Sequence, residues 1–159
     1  PPGVEEPASS KHIRMNVTYT DIKGNIIDHT KLTQGTDFVA KVTIKNLGSR
    51  SNSIQEVALS QIFPSGWEIQ NDRLSSMTNV AKNSSYDYRD IRDDRVYTFF
   101  DIYGNNTLTF SVILNATYAG KFYLSPVFVE AMYDNEIQAK TEGVWVEVLS
   151  SKVESDVNE

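Results

Sequence analysis

Alternation of apolar and polar residues is the dominant pattern of the chain, and it predicts β-strands. Every second residue is apolar across 13–19, and the same period of two returns across 38–44 and 108–114. Successive side chains of a strand point to opposite faces, so a period of two indicates a strand with one face in a core. We expect a half-buried strand from each of these three segments.

Further strands are predicted where short apolar runs end at turn residues. They cover residues 57–63, 96–102, 122–133, 137–139 and 144–149, with 26–32 as an edge strand or extended loop. The run 96–102 is β-branched and aromatic, which favours burial on most of both faces. Pro126 cannot donate to a strand ladder and predicts an edge position or a bulge. Residues 71–85 are polar and favour a long loop.

Seven to nine short strands with turn signals between them, and no convincing helical period, define the fold class. This pattern is typical of an all-β fold, an antiparallel immunoglobulin-like β-sandwich. Residues 1–10 are rich in proline and predict a linker, 11–149 form one sandwich domain, and 150–159 predict a disordered acidic tail. The chain begins with Pro-Pro-Gly and no methionine, so we expect it to be a piece of a longer protein.

A charged segment precedes the strand at 96–102, and it predicts a tightly turned loop. Its aspartates are Asp87, Asp90, Asp93 and Asp94, and its arginines are Arg89, Arg92 and Arg95. Closely spaced carboxylates can bind calcium, but the arginines nearly neutralise them and the spacing of a calcium loop is absent. Local pairing of arginine with aspartate is therefore favoured over a metal site.

Composition excludes several kinds of chemistry. A net charge of −6 without a basic cluster argues against nucleic acid. No apolar run is long enough to cross a membrane, so no direct membrane contact by this domain is expected. The absence of cysteine excludes disulfides, a thiolate zinc site and a thioester within this chain. His12 and His29 stand outside any metal or catalytic motif, so we predict no enzyme, no metal site and no cofactor.

Four blocks of sequence resemble one known family. They are QIFPSGWEI at 61–69, YRDIRDDRVYTFFD at 88–101, LNATYAGKFYL at 114–124 and EAMYDN at 130–135. Together they are similar to the C-terminal macroglobulin-like domain, the tenth or MG10 domain, of bacterial alpha-2-macroglobulins of the Bacteroides type. The resemblance covers roughly residues 11–149.

The resemblance implies a role for the chain. The parent would be a large, lipid-anchored protease inhibitor of the periplasm or cell surface, which meets proteases through its bait region and, in many members, a thioester. This domain would be non-catalytic and would pack beside other domains of its parent, shielding the thioester domain above all. The alternative is an adhesion or carbohydrate-binding module of a larger surface protein, with exposed aromatic rings as the sugar platform.

Aromatic residues beside turns are the candidate contact residues. On the implied role we expect Tyr133, Asp134 and Asn135 to contact the neighbouring domain, with Tyr118 as a second contact. Each lies at a predicted strand end, where an amphipathic ring can reach a partner. The stretch from Tyr118 to Tyr123 also suits a tyrosine corner, in which a tyrosine hydroxyl bonds to a nearby backbone group.

Overall fold

The computed structural model describes residues 8–47, 53–70 and 83–151, which form strands, turns and loops without a helix. Thirteen strand segments follow one another along this part of the chain: β1 (Ser9–Lys11), β2 (Ile13–Asp21), β3 (Lys31–Thr33), β4 (Asp37–Asn46), β5 (Ile54–Ile62), β6 (Trp67–Gln70), β7 (Tyr88–Ile91), β8 (Arg95–Ile102), β9 (Thr107–Ala116), β10 (Gly120–Leu124), β11 (Phe128–Ala131), β12 (Asp134–Lys140) and β13 (Val144–Leu149). No helix in the described ranges is long and apolar enough to cross a membrane.

The strands form three sheets that pack as a sandwich. The six-stranded sheet has the order β1-β12-β11-β5-β8-β7, the four-stranded sheet β2-β4-β9-β6, and the three-stranded sheet β10-β13-β3. One apolar cluster joins β2, β4 and β9 to the six-stranded sheet, and a second joins the same strands to the three-stranded sheet. The predicted immunoglobulin-like β-sandwich is confirmed, with the addition that β3 pairs parallel to β13.

A single long hairpin belongs to both the six-stranded and the three-stranded sheet. Leu124 of β10 pairs with Val144 of β13, and Phe128 of β11 pairs with Lys140 of β12, so one register continues across the break. Pro126 lies in the break, and there the Val127 N–H donates to the Thr141 hydroxyl at 2.8 Å instead of to a backbone carbonyl. The predicted irregularity at Pro126 is therefore the point where the hairpin passes from one sheet to another.

Trp67 is the centre of the second apolar cluster. Its ring makes an edge contact with Phe38 at 4.9 Å between centroids and lies 6.0 Å from Tyr19. Packing of this kind adds to the free energy of burial of large aromatic side chains. Trp67 follows the Pro64-Ser65-Gly66 turn and begins β6.

The prediction of a loop before 96–102 is partly wrong. Residues Tyr88–Ile91 form β7, which pairs antiparallel with β8 along the edge of the six-stranded sheet. An edge strand keeps charged side chains in water, so its charge density resembles that of a loop. The turn itself is confined to Arg92–Asp94, and β8 has one fully buried face and one half-buried face rather than two buried faces.

Other sequence predictions differ in their bounds. In the segment 26–32 only Lys31 and Leu32 belong to a strand, β3 (Lys31–Thr33). Ile26 forms an isolated bridge with Thr20. Ser9 and Ser10, which the predicted linker included, belong to β1. The linker up to residue 7, the loop 71–82 and the tail from residue 152 lie outside the described residues.

Candidate functional site

The tip of the β11–β12 hairpin exposes the first candidate contact residues. Ala131 pairs with Asp134, so Met132 and Tyr133 alone form the connection. Tyr133 has 85% of its surface exposed, and Met132, Asp134 and Asn135 are exposed as well. An almost fully exposed tyrosine ring on a strand connection contributes nothing to the core, which makes it available to a partner.

The backbone beneath this tip is held in place. The Met132 N–H donates to the Glu56 carbonyl at 2.8 Å. Glu56 lies in a bulge of β5 with φ of 56°, a left-handed conformation that costs a residue with a Cβ roughly 1 kcal/mol. The bulge directs the Glu56 N–H onto Asp101 Oδ1 at 2.9 Å. Tyr133 is therefore exposed on a fixed backbone.

Tyr103 extends the same end of the sandwich. Its hydroxyl donates to Asp101 Oδ2 at 3.3 Å, and its ring is exposed. The Asp101 carboxylate raises the pKa of Tyr103, because ionising the phenol would place two negative charges together. Tyr103 was not among the predicted contact residues, although its place in the turn Tyr103-Gly104-Asn105-Asn106 gave the same signal as that of Tyr133.

Asp134 has a structural task within the tip. Its Oδ1 accepts a hydrogen bond from the Glu136 N–H at 3.1 Å. The register of β12 against β11 shifts at this point, so Asn135, Glu136 and Ile137 have no partner residue on β11. Asp134 stabilises that bulge, while Tyr133 and Asn135 remain exposed.

Tyr118 lies at the opposite end of the sandwich. It follows β9, and its N–H donates to the Gly66 carbonyl at 3.0 Å. Its hydroxyl donates to Glu68 Oε1 at 3.0 Å, and this bond raises the pKa of Tyr118. The ring is 55% exposed and its hydroxyl bonds to a side chain, so Tyr118 does not form the predicted tyrosine corner. The structure does not bring Tyr118 and Tyr133 together.

The charged segment forms the predicted ion pairs at two of its three arginines. Arg92 Nε lies 3.0 Å from Asp90 Oδ2, and Arg95 binds both oxygens of Asp94 at 2.9 and 3.1 Å. The bidentate contact with Arg95 lowers the pKa of Asp94. Within the described residues no group of three or more histidine or acidic side chains is placed to hold a metal ion.

Arg89 departs from the predicted pairing. Its guanidinium donates to the Thr98 hydroxyl at 3.2 Å and to the Ser111 carbonyl at 3.1 Å, and it lies 5.8 Å from the Tyr86 ring centre. No carboxylate of the described residues lies within ion-pair distance of it. Burial lowers the pKa of Arg89. This side chain, on the edge strand β7, joins the six-stranded sheet to the four-stranded sheet, because Thr98 belongs to β8 and Ser111 belongs to β9.

A cleft of about 540 Å³ lies below that edge, between β6 and the β7–β8 turn. Apolar side chains and carboxylates line it together: Trp67, Ile69, Ile91, Glu68, Asp93 and Asp94. The carboxylates of Asp94 and Glu68 are already bonded to Arg95 and Tyr118. Ser65 and Arg92 complete the lining, which contains no histidine among its described residues.

Comparison with known proteins assigns the family. Residues 13–136 match the family model of the bacterial alpha-2-macroglobulin MG10 domain. The chain belongs to the bacterial alpha-2-macroglobulin MG10 domain family. The match covers most of the sandwich, from the first residue of β2 into β12, and confirms the resemblance carried by the four sequence blocks.

Individual relatives agree with this MG10 assignment. The chain is 28% identical over 160 residues to an alpha-2-macroglobulin homolog of Yersinia pestis, covering 86% of this chain and 8% of that protein. It is 23% identical to alpha-2-macroglobulin of Pasteurella multocida, covering 87% of this chain and 7% of the relative. The MG10 chain thus spans less than a tenth of the length of these relatives.

A solved structure shows the same fold. The crystal structure of Salmonella alpha-2-macroglobulin reacted with methylamine superposes on this MG10 domain with a TM-score of 0.78 at 17% identity, covering 93% of this chain and 10% of that one. The likeness establishes the arrangement of strands.

Proposed function

We propose that this MG10 domain is a non-catalytic module of a periplasmic or cell-surface protease inhibitor, and that its β11–β12 tip packs against and shields the thioester domain of the parent. Family membership supports the general role, since the chain matches one small part of proteins named alpha-2-macroglobulin. The parent, lipid-anchored on this proposal, would meet proteases through its other domains.

The observation that carries the proposed contact is the exposure of Tyr133 on a fixed backbone. Its ring is in water, while Met132 and Glu56 hold the connection in place through two hydrogen bonds. A rigid aromatic side chain loses little conformational entropy when a partner covers it, which is typical of residues that dominate an interface. Tyr103 belongs to the same contact surface through Asp101.

The alternative as an adhesion or carbohydrate-binding module has less support. Family membership favours the inhibitor, and the cleft beside β6 has Trp67 as its one aromatic residue among the described lining. We therefore propose the inhibitor module.

The first test is the intact mass of the parent protein with and without methylamine, the amine with which the Salmonella relative was reacted. A large parent that gains one methylamine supports a thioester protein. A large parent that gains none removes thioester shielding from the proposal and leaves an interdomain contact. A parent little larger than this domain contradicts the whole proposal.

The second test is Tyr133→Ala in the parent. We expect methylamine to add several-fold faster because the shield is loosened, with the melting temperature unchanged because the Tyr133 side chain is 85% exposed. Tyr88→Ala is the matched control, since Tyr88 is also exposed but lies on the edge strand β7. Equal rates for Tyr133→Ala and the unmodified parent would exclude the tip as the shield. Cell fractionation tests the proposed location, because a lipid-anchored parent is expected in the membrane fraction.

A further inference from the structure

The outer face of the three-stranded sheet carries a second exposed aromatic surface. Tyr123 of β10 pairs with Trp145 of β13, and both side chains point away from the core that Leu124, Val146 and Val148 fill. Trp145 is 52% exposed, and Leu149 on the same strand is exposed too. We call this surface the Trp145 face. Its members are Lys31, Lys121, Tyr123, Trp145, Glu147 and Leu149.

The aromatic pair on the Trp145 face is fixed before any partner arrives. The ring centres of Tyr123 and Trp145 lie 5.6 Å apart, with the planes at 61°. The Tyr123 hydroxyl lies directly over Gly143, where a Cβ would overlap it. Only a glycine allows this approach, so the fold itself holds Tyr123 in the position that supports the indole. Tryptophan is among the residue types that are enriched at the centre of protein interfaces and dominate their binding energy.

The charged residues around Tyr123 and Trp145 differ in net sign from the chain as a whole. Glu147 stands in register between Lys121 of β10 and Lys31 of β3. Neither lysine forms an ion pair among the described residues. The six members of the face carry a net charge of +1, although the chain has a net charge of −6, and Asp28 beside them interacts electrostatically with Lys31. A complementary surface would present an apolar socket for the indole and carboxylates for the lysines.

We propose that the Trp145 face docks another domain of the same parent chain, one that presents an apolar socket rimmed by carboxylates. This inference rests on the proposed function in one respect, that the domain works inside a large parent. The relatives support this occupant, because more than nine-tenths of their length lies outside the region that this chain matches.

Two other occupants fit the Trp145 face less well. A sugar ring stacks on a flat aromatic platform, and two rings inclined at 61° do not form one. A second copy of this domain would place a net positive face against an identical one, which like charges oppose. Both occupants remain outcomes of the test.

Oxidative footprinting of the full parent tests the proposal. Within the same domain, buried Trp67 is the reference for full protection and exposed Tyr88 the reference for none. We expect Trp145 to be oxidised nearly as slowly as Trp67, at every protein concentration tested. Oxidation at the rate its exposure in this domain allows would overturn the proposal, and protection lost on dilution would identify a second copy instead. Protection that appears only with added oligosaccharide would identify a sugar site.

Charge reversal provides a second measurement on the same protein. The double substitution Lys31→Glu with Lys121→Glu should increase oxidation of Trp145 several-fold, because carboxylates then face carboxylates. The control Lys41→Glu with Lys45→Glu changes the same number of charges on β4 and should leave Trp145 protected. Equal oxidation in both variants would contradict an acidic rim on the partner.

The experiments on the Trp145 face can be distinguished from those on the β11–β12 tip. A small parent contradicts both proposals, whereas a Tyr133→Ala variant without effect on amine addition bears on the proposed function alone. A large parent in which Trp145 is freely oxidised bears on the Trp145 face alone.

Discussion

Gln61 is an exception to the rule that buried polar groups are paired. It is fully buried on the inner face of β5, between Leu59 of the first apolar cluster and Phe63 of the second. Neither its Oε1 nor its Nε2 has a hydrogen-bond partner among the described residues. Thr98 on the neighbouring strand β8 is equally buried, but its hydroxyl accepts from Arg89. The boundary between the two apolar clusters thus contains polar side chains, and only some of their polar atoms form hydrogen bonds.

Replacing Gln61 with methionine should stabilise the domain. The two side chains have similar shape, and removing an unpaired buried amide recovers its desolvation cost, so we expect the free energy of unfolding to rise by about 1 kcal/mol. Urea denaturation measures the change. Gln55→Met on the same strand is the control and should be close to neutral, since Gln55 is exposed. A loss of stability in Gln61→Met would show that the amide has a bound water or another partner.

His29 makes stability depend on pH. Its ring stacks on Tyr19 with 3.9 Å between centroids, and burial lowers the pKa of His29. The unfolded chain, with an ordinary histidine pKa of about 6.5, binds the proton more readily than the folded chain. The contribution to stability is therefore present above that value and is lost as pH falls through it toward the lower folded pKa.

Denaturation of the unmodified chain and of His29→Phe between pH 5 and pH 8 tests this. Phenylalanine keeps an aromatic ring on Tyr19 and removes the titration. We expect the unmodified chain to lose stability toward pH 5 and the variant to lose less. Equal slopes would show that His29 contributes no pH dependence.

Individual elements meet closely where Phe122 of β10 packs on Gly66. A Cβ at Gly66 would overlap the Phe122 ring, and one at Gly120 would come within 2.9 Å of it. This contact joins the turn before β6 to the three-stranded sheet. The sequence shows a glycine in a turn, but the reason for it is a ring 56 residues further along the chain.

Gly66→Ala should destabilise the domain by roughly 1–3 kcal/mol, since an added methyl group must displace a packed ring. Phe122→Leu in the same molecule should recover part of the loss, because the smaller side chain makes room. Thermal unfolding of the two single variants and the double variant measures the coupling. Strictly additive losses would mean that Gly66 is required by its backbone instead.

Local patterns predicted the elements whose two faces differ in polarity. The alternation across 13–19, 38–44 and 108–114 lies within β2, β4 and β9. β7 was missed because an edge strand with paired charges on it has the composition of a loop. The bridging role of Arg89 had no local signal, since its partners Thr98 and Ser111 are brought to it only by the fold. Tyr133 and Trp145 show the same limit of local sequence patterns. The sequence marks an aromatic residue beside a turn or in a strand, but it does not give the exposure of the side chain.

At the scale of the whole molecule, the candidate surfaces are distributed over separate regions. Tyr133 lies beside the ends of β5 and β8, and Tyr118 follows β9 at the other end of the sandwich. Ten residues of a strand such as β9 span about 33 Å. One compact partner surface does not reach both tyrosines, and the Trp145 face lies on a third side. A domain of this design suits a position with several neighbours.

The register that continues across Pro126 has a consequence for how such domains change in length. Because pairing continues in step there, inserting one residue in the β12–β13 arm would turn every side chain from the insertion to the end of β13 to the wrong face. Trp145 would then enter the core and Val146 would face water. Length changes on either side of Pro126 are therefore tolerated only as matched pairs in the two arms. The tip already accommodates a bulge between Glu130 and Ala131, which makes it the place where related domains are free to diverge.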